Sequence, residues 1–339
     1  MGRRGDDGGR EQSMVPRADF RSYYDRPILK KPAWDWKIPA YLFAGGVSAG
    51  SELLAVGADL TGRPELRRTG RVGALVSLAA GMYFLVADLG RPERFHHMLR
   101  VAKPTSPMSV GTWFLVAYGP GAGVAAAAEL LPRRWRRTPL GRLLAWTARP
   151  AGLSAAAVAP AVASYTAVLL SQTAVPAWHE AHRHLPFVFV GSAAASSGGL
   201  CAALTPPEQA GPARLFAVLG GVSELVASRV LESELGLVAE AYTTGRAHRL
   251  RRWSELLTAG GVLGLLAGGR RSRAVAAVSG LALFAGSALQ RFGVFEAGVA
   301  STQDPKYVVV PQRERLDRKR AAAASPDADV AGEAPKRSG

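Results

Sequence analysis

Eight long apolar stretches alternate with short, mostly basic connectors along the chain. They predict helices over 38–60, 72–88, 109–131, 152–173, 185–204, 212–239, 256–268 and 274–300. Most approach the ~20 residues needed to cross about 30 Å of hydrocarbon. The stretch at 256–268 is short for a full crossing, so its helix is expected either to begin earlier, at Trp253, or to be partly re-entrant. A soluble reading would need an unusually large, Ala-rich core of wholly apolar helices. The chain therefore reads as an all-α polytopic membrane protein with about eight transmembrane helices. A polar lead-in (1–31), in which Phe20, Tyr23 and Tyr24 could rest on a membrane surface, precedes the membrane domain (32–312). The tail (313–339) is charged and then low in complexity, cannot build a core and is expected to be disordered.

Composition refines this picture. The mean hydropathy of the 339 residues is only +0.07, because charge is concentrated in the tails and loops. A net charge of +16 would suggest nucleic acid in a soluble domain. Here the arginines sit between apolar runs, where phosphate headgroups and positive-inside sorting account for them, and no nucleic-acid partner is expected. An even number of helices puts both tails on one side. Their basic residues place them in the cytoplasm, although the loop RRWRRTPLGR at 133–142 opposes that rule. The N-terminus lacks the apolar core and cleavage site of a secretory signal. Trp34 and Trp36 precede the first helix as a headgroup-level aromatic belt, and Trp178 is read as marking the far interface of the fourth helix.

Several charges lie inside apolar stretches, where a lone charge costs roughly 2.5–3.5 kcal/mol on insertion scales. Glu52 is near the middle of the first helix and is read either as a proton- or ligand-handling group or as a structural partner. The sixth stretch holds Glu224, Arg229, Glu232 and Glu234. Arg229 and Glu232 share a helix face and are expected to pair. Glu224 and Glu234 lie about 15 Å apart along the axis and could be two stations of a proton route. Asp59 and Asp88 are near helix ends. The loop 89–107 gathers His96 and His97 with Arg91, Arg94, Phe95, Arg100 and Lys103, and reads either as a mouth for an amphipathic headgroup or as a plain membrane-facing loop. His179, His182 and His184 near Glu180 form a wet loop cluster more readily than a zinc site. Gly46 and Gly50, like Gly260, Gly264 and Gly268, have the spacing that lets helices approach closely. No dinucleotide or P-loop fingerprint is present.

Cofactor chemistry is narrowed by what the sequence lacks. Cys201 is the single cysteine, so neither a disulfide nor an iron–sulfur cluster can be built from this chain alone, and it is read as a filler of the fifth helix. Membrane haem normally takes histidine ligands within the bilayer. His96, His97, His179, His182, His184 and His248 all fall in predicted loops, so a haem-bearing subunit is disfavoured.

Three stretches, PAWDWKIPAYLFAGGVSAGSELLA (32–55), DLGRPERFHHMLRVAKPTSPMSVGTW (88–113) and RFGVFEAGVASTQDPKYVVVPQ (291–312), resemble the polysulfide reductase/NrfD family of integral membrane subunits. The resemblance covers about residues 30–312. It implies two four-helix bundles, no haem, and a place in a prokaryotic cell (inner) membrane. It also implies a ferredoxin-like iron–sulfur partner, often connected to a molybdopterin catalytic subunit. Such a subunit exchanges electrons with menaquinone or ubiquinone, and in some complexes carries protons. Glu52, His96, His97, Glu224 and Glu234 are the candidate catalytic, proton-handling residues, and of these Glu52 and the 88–113 segment that holds His96 and His97 map onto motifs of the resembled family. Tyr41, Gly46, Gly50, Tyr83, Arg91, Phe95 and Tyr165 are the candidate quinone-binding set, with Tyr83 and Tyr165 alternatively core aromatics. The asparagine that some members place near the quinone has no counterpart, because the sequence holds no asparagine. The 291–312 motif would tie the last helix to the bundle or to a partner. A secondary transporter using buried carboxylates and a purely structural anchor remain the rival readings.

Overall fold

The computed structural model describes residues 26–323; the lead-in aromatics Phe20, Tyr23 and Tyr24 and the end of the tail lie outside the described residues. Among the described residues all regular structure is helical. The long helices are α1 (Lys37–Leu60), α2 (Pro64–Ala87), α3 (Pro107–Leu130), α4 (Pro139–Ser171), α5 (Leu185–Leu204), α6 (Gly211–Glu234), α7 (Gly245–Ala267) and α8 (Arg273–Ser301), followed by α9 (Lys306–Ala323). The helix starts follow local chemistry. Proline occupies the first turn of α2, α3, α4, α5 and α6, where its missing N–H costs nothing. Thr138 caps α4 by accepting from the Gly141 N–H at 3.1 Å, and Ser272 caps α8 through Val275 at 3.3 Å. Gly62, at φ 66°, supplies the left-handed residue of the tight α1–α2 turn.

Six helices, α1 to α5 and α8, are long and apolar enough to cross a membrane. The 24-residue α6 and 23-residue α7 have the length but not the composition. Hydropathy also misplaces several starts. α2 begins at Pro64 rather than 72, and α4 at Pro139 rather than 152, running on through Pro150 and Pro160. α7 begins at Gly245, ahead of the Trp253 alternative; its 23 residues span about 35 Å, so it needs no re-entrant geometry. In each case polar residues that end the apolar run continue the helix. Arg71 and Arg251 do so buried and ion-paired inside the protein. α9 likewise carries helix past residue 312, to Ala323.

The eight helices form two bundles. α1 packs on α2 and α4, and α3 on α4; α5 packs on α6 and α8, and α7 on α8; α1 meets α5 along the seam between them. Gly46 and Gly50 make that seam. A Cβ on Gly46 would stand 3.2 Å from that of Ala193, and one on Gly50 would stand 3.0 Å from the Ala193 carbonyl oxygen. On α7, Gly264 and Gly268 face α8, whereas Gly260 has open space.

The N-terminal segment, the 176–183 turns and α9 share one end of the molecule, the tail end. Trp34 stacks on Trp178 with ring centroids 5.9 Å apart, and Arg315 of α9 reaches Glu180 at 2.9 Å. Trp178 is fully buried, packs on Phe295 at 5.5 Å and donates its indole N–H to the Val294 carbonyl at 2.8 Å. It is a core residue and not an interface marker, because the short helix Pro176–Glu180 folds back into the bundle.

Candidate functional site

At the tail end of the first bundle, two cavities adjoin. The larger, about 220 Å³, lies between α2, α3 and the 3-10 turn Pro92–Leu99, lined by Leu78, Met82, Phe95 and Val116 among others. The smaller, about 70 Å³, is bounded by Trp34, Ile38, Tyr41, Asp88, Met108 and Tyr165. Leu85, Leu89, Met98, Thr112 and Leu115 line both. The result is an apolar groove that ends in a small polar head of two phenols, a threonine and a carboxyl. Tyr41 and Tyr165 are buried, yet neither hydroxyl has a hydrogen-bond partner among the described residues. Both tyrosines line the smaller cavity, so a polar group of a ligand there can meet their hydroxyls. Gly111 of α3 gives the Tyr165 ring its seat, and Phe114 meets that ring edge-on at 6.1 Å.

Asp88 follows the last turn of α2. Partial burial, and then the neighbouring Asp35 carboxyl, push its pKa above the usual range. Asp35 is pulled the other way by Lys37, whose ammonium pairs with its carboxylate and whose backbone N–H donates to it at 2.8 Å. The head of the cavity thus holds one carboxyl that keeps its proton more readily than an ordinary aspartate, beside one that gives it up.

Of the residues singled out from sequence, Tyr41, Tyr165 and Phe95 come together here. Tyr83 does not: it is 68% exposed on the outer face of α2, against Phe84, because Met82 and Leu85 hold the inward positions. Arg91, His96 and His97 lie exposed on or beside the 92–99 turn, the two imidazoles edge-to-face at 4.5 Å, and line neither cavity. Gly46 and Gly50 face α5 and not the cavity. Thr112 and Met98 were not singled out, and Asp88 was noted only for its place near a helix end; a further signal for it was its position at the head of the 88–113 motif.

The buried charges occupy other places. Glu52 is fully buried, and neither of its oxygens has a hydrogen-bond partner; Arg71 is the charge that faces it. Arg71 also bonds Glu129 at 3.0 Å and lies 3.6 Å from Asp59. Arg67 joins the same two carboxylates at 2.6 and 3.1 Å, and Arg149 approaches Asp59 at 3.6 Å. This network enters the bundle from the end opposite the tails. On the cavity side of Glu52, Tyr118 donates to the Ser48 carbonyl at 3.0 Å, and the Ser48 hydroxyl reaches the Ala74 carbonyl at 2.8 Å. Gly152 leaves room between Glu52 and Arg71, since a Cβ there would stand 3.2 Å from Glu52 Oε1 and 3.6 Å from Arg71 Nη2. We expect Gly152→Val to destabilise the protein by about 1–3 kcal/mol, the range for overpacking, and Gly152→Ala by less. Denaturant unfolding in detergent measures both.

Glu224 is buried in the second bundle, where it accepts from the Ser287 hydroxyl at 3.3 Å. Near it Arg291, also buried, donates to the Phe189 carbonyl at 2.7 Å and lies 3.6 Å over the Phe189 ring. Glu234, by contrast, is 56% exposed at the end of α6 and pairs with His184 at 2.7 Å, so only Glu224 of the two is enclosed in the bundle. Arg229 and Glu232 do not pair with each other. Arg229 lies 3.5 Å from Glu255, and Glu232 bonds Arg251, because α7 brings both partners alongside α6. His179 and His182 bond backbone carbonyls, at 3.0 and 2.9 Å. Among the described residues no group of three or more potential ligands could hold a metal ion. His248 lies in the first turn of α7 and not in a loop.

Comparison with known proteins bears on the bundle that holds the cavity. Residues 29–206 match the family model described as polysulphide reductase, NrfD. The sequence is 29% identical over 180 residues to the C component of Wolinella succinogenes polysulfide reductase, an overlap of 49% of this protein and 57% of that one. It is 36% identical over 89 residues to the C component of Mesobacillus selenatarsenatis selenate reductase, an overlap of 25% and 21%. The protein thus spans little more than half of one curated relative and about a fifth of the other. The family match takes in more than half of the sequence, including α1, α2, α3 and the two tyrosines of the cavity head, and this all-α polytopic membrane protein belongs to the NrfD polysulphide reductase family.

Proposed function

We propose that the protein is the quinone-reactive membrane subunit of a prokaryotic respiratory reductase complex. It exchanges electrons between membrane menaquinone or ubiquinone and a ferredoxin-like iron–sulfur subunit, itself connected to a molybdopterin catalytic subunit. The observation that carries this reading is the apolar groove ending at the partnerless hydroxyls of Tyr41 and Tyr165 beside Asp88. A quinone has the same two-part chemistry: an isoprenoid tail without polar atoms and a ring with two oxygens. The tail fits along Leu78, Met82 and Val116 between α2 and α3, and the ring oxygens meet the tyrosine hydroxyls.

Taking a quinone to a quinol needs two electrons and two protons, and the reverse reaction releases them. The electrons pass to or from the partner's clusters. Tyr41 and Tyr165 hold the ring by donating hydrogen bonds, and Asp88 gives or takes a proton near the aqueous end, with Asp35 and Lys37 beside it. Glu52 lies roughly 16 Å deeper along α1 than Tyr41, too far to touch a ring held there. In this proposal Glu52 and Glu224 hold protons inside the bundles, and neither contacts the quinone. Exposed Arg91, His96 and His97 lie on the outer side of the groove, where a partner docks. The cavity mouth, the segment before α1 and α9 share an end, and in this proposal the partner docks there on the cytoplasmic side.

Leu115→Trp tests the reading, because Leu115 lines both cavities and an indole there fills their junction. Quinol-linked turnover of the assembled complex should fall at least tenfold, while dye-linked turnover of its catalytic subunit stays unchanged. Undiminished quinol-linked turnover would show that the ring binds elsewhere.

A further inference from the structure

The second bundle carries a cavity that quinone exchange does not use. At the tail end, α6, α7 and the turn Glu240–Thr243 enclose about 400 Å³, lined by Arg229, Glu232, Tyr242, Thr243, His248, Arg251, Arg252, Glu255 and Leu256. Arg251 is the floor. Its side chain is 4% exposed, lies 5.3 Å over the Tyr242 ring, pairs with Glu232 and stands 3.9 Å from Glu255, yet its Nε–H has no partner. Arg229 covers the other side of Glu255 at 3.5 Å. Both carboxylates are therefore already answered by guanidinium groups. Arg252 and His248 are not engaged: neither side chain has an ion-pair or hydrogen-bond partner among the described residues. With three guanidinium groups against two carboxylates, the lining is net positive.

The setting is the boundary of the bilayer. Trp253, Leu256 and Val226, on the two helices that flank the cavity, are exposed on the outer surface. An exposed tryptophan beside apolar side chains marks the headgroup level. The two unengaged side chains, Arg252 and His248, leave the lining with free N–H donors that an anion can meet. Guanidinium groups present paired donors that match phosphate oxygens, and basic pockets between membrane helices suit lipid headgroups.

We propose that this cavity is a binding site for a phosphate-ester anion, with Arg252 and His248 as its free donors and Arg251 as its floor. The same chemistry is offered by the phosphodiester of an anionic phospholipid, whose acyl chains would follow Val226 and Leu256, and by soluble phosphate. The proposal is independent of the quinone reading, because it concerns the other bundle.

The test uses the full-length protein, purified in mild detergent and stripped of lipid. Bound lipid is counted by native mass spectrometry with phosphatidylglycerol or phosphatidylcholine added, and inorganic phosphate binding is measured separately by calorimetry. Phosphatidylglycerol should be retained at least tenfold better than phosphatidylcholine. An R252Q/H248Q variant should lose that preference at least tenfold without a change in its lipid-free unfolding temperature. Displacement of phosphatidylglycerol by inorganic phosphate supports headgroup recognition. Phosphate binding without lipid preference, abolished by the variant, assigns the site to the soluble anion. Equal retention of the two lipids with no phosphate binding overturns the proposal, as does a folded variant that binds like the parent protein.

Discussion

Replacing Arg71 with methionine is expected to remove a large part of the protein's stability. Arg71 is buried in α2, bonds Glu129 at 3.0 Å, lies 3.6 Å from Asp59 and faces Glu52. Methionine keeps the length and the apolar stem but leaves three carboxylates short of a counter-charge. Removing one partner of a buried ion pair costs about 3–5 kcal/mol, since the remaining charge stays buried and uncompensated. That is a large part of the whole stability of an ordinary protein. Arg67 and Arg149 remain near Asp59 and Glu129, but neither bonds Glu52. Adding Glu52→Gln to Arg71→Met should therefore recover part of the loss. The folded yield in detergent and the unfolding midpoint measure both variants. An Arg71→Met protein as stable as the parent would mean that the network contributes little and that Glu52 keeps its place by other means.

The second large effect is on turnover. Asp88→Asn should lower quinol-linked turnover by tenfold or more, because an amide cannot exchange a proton and positioned acid–base groups contribute roughly 10²–10⁴-fold. The pH dependence gives a sharper check. In the quinol-oxidising direction Asp88 must be ionised to accept a proton, so activity rises with pH through its pKa. Burial and the Asp35 carboxyl both raise that pKa, which carries the rise to higher pH than an ordinary aspartate would show. Asp35→Asn removes a neighbouring carboxyl and frees Lys37. Both changes favour the Asp88 anion, so the rise should move to lower pH. A rise that stays in place in Asp35→Asn, with Asp88→Asn fully active, would take the carboxyl pair out of the reaction.

Which residues reach the cavity could be read only in part from the sequence. Tyr41 and Tyr165 sit on helices whose existence the apolar runs declare, and Phe95 and Asp88 fall in the 88–113 motif. Tyr83 has the same chemistry as Tyr165 and lies in an equally apolar helix, yet it faces outward. Periodicity cannot separate the two, because a membrane helix has apolar residues on every side and no stripe to say which face is inside. His96 and His97 are a related case: proton-active side chains in the right motif, held on the outer face of the turn.

Sequence alone determined that this is an all-helical membrane protein of the NrfD type, and roughly where its eight long helices run. The bilayer imposes a minimum apolar length and demands that backbone groups bond within the segment, so helices can be read one at a time. Tertiary structure decided everything that depends on how each helix is rotated about its own axis. It set Arg71 against Glu52, Glu232 against Arg251 rather than Arg229, and Trp178 in the core. It also turned Tyr165, and not Tyr83, into the cavity. That rotation comes from contacts between helices distant in the sequence, such as the glycine seam of α1 on α5, and no local pattern of residues encodes it.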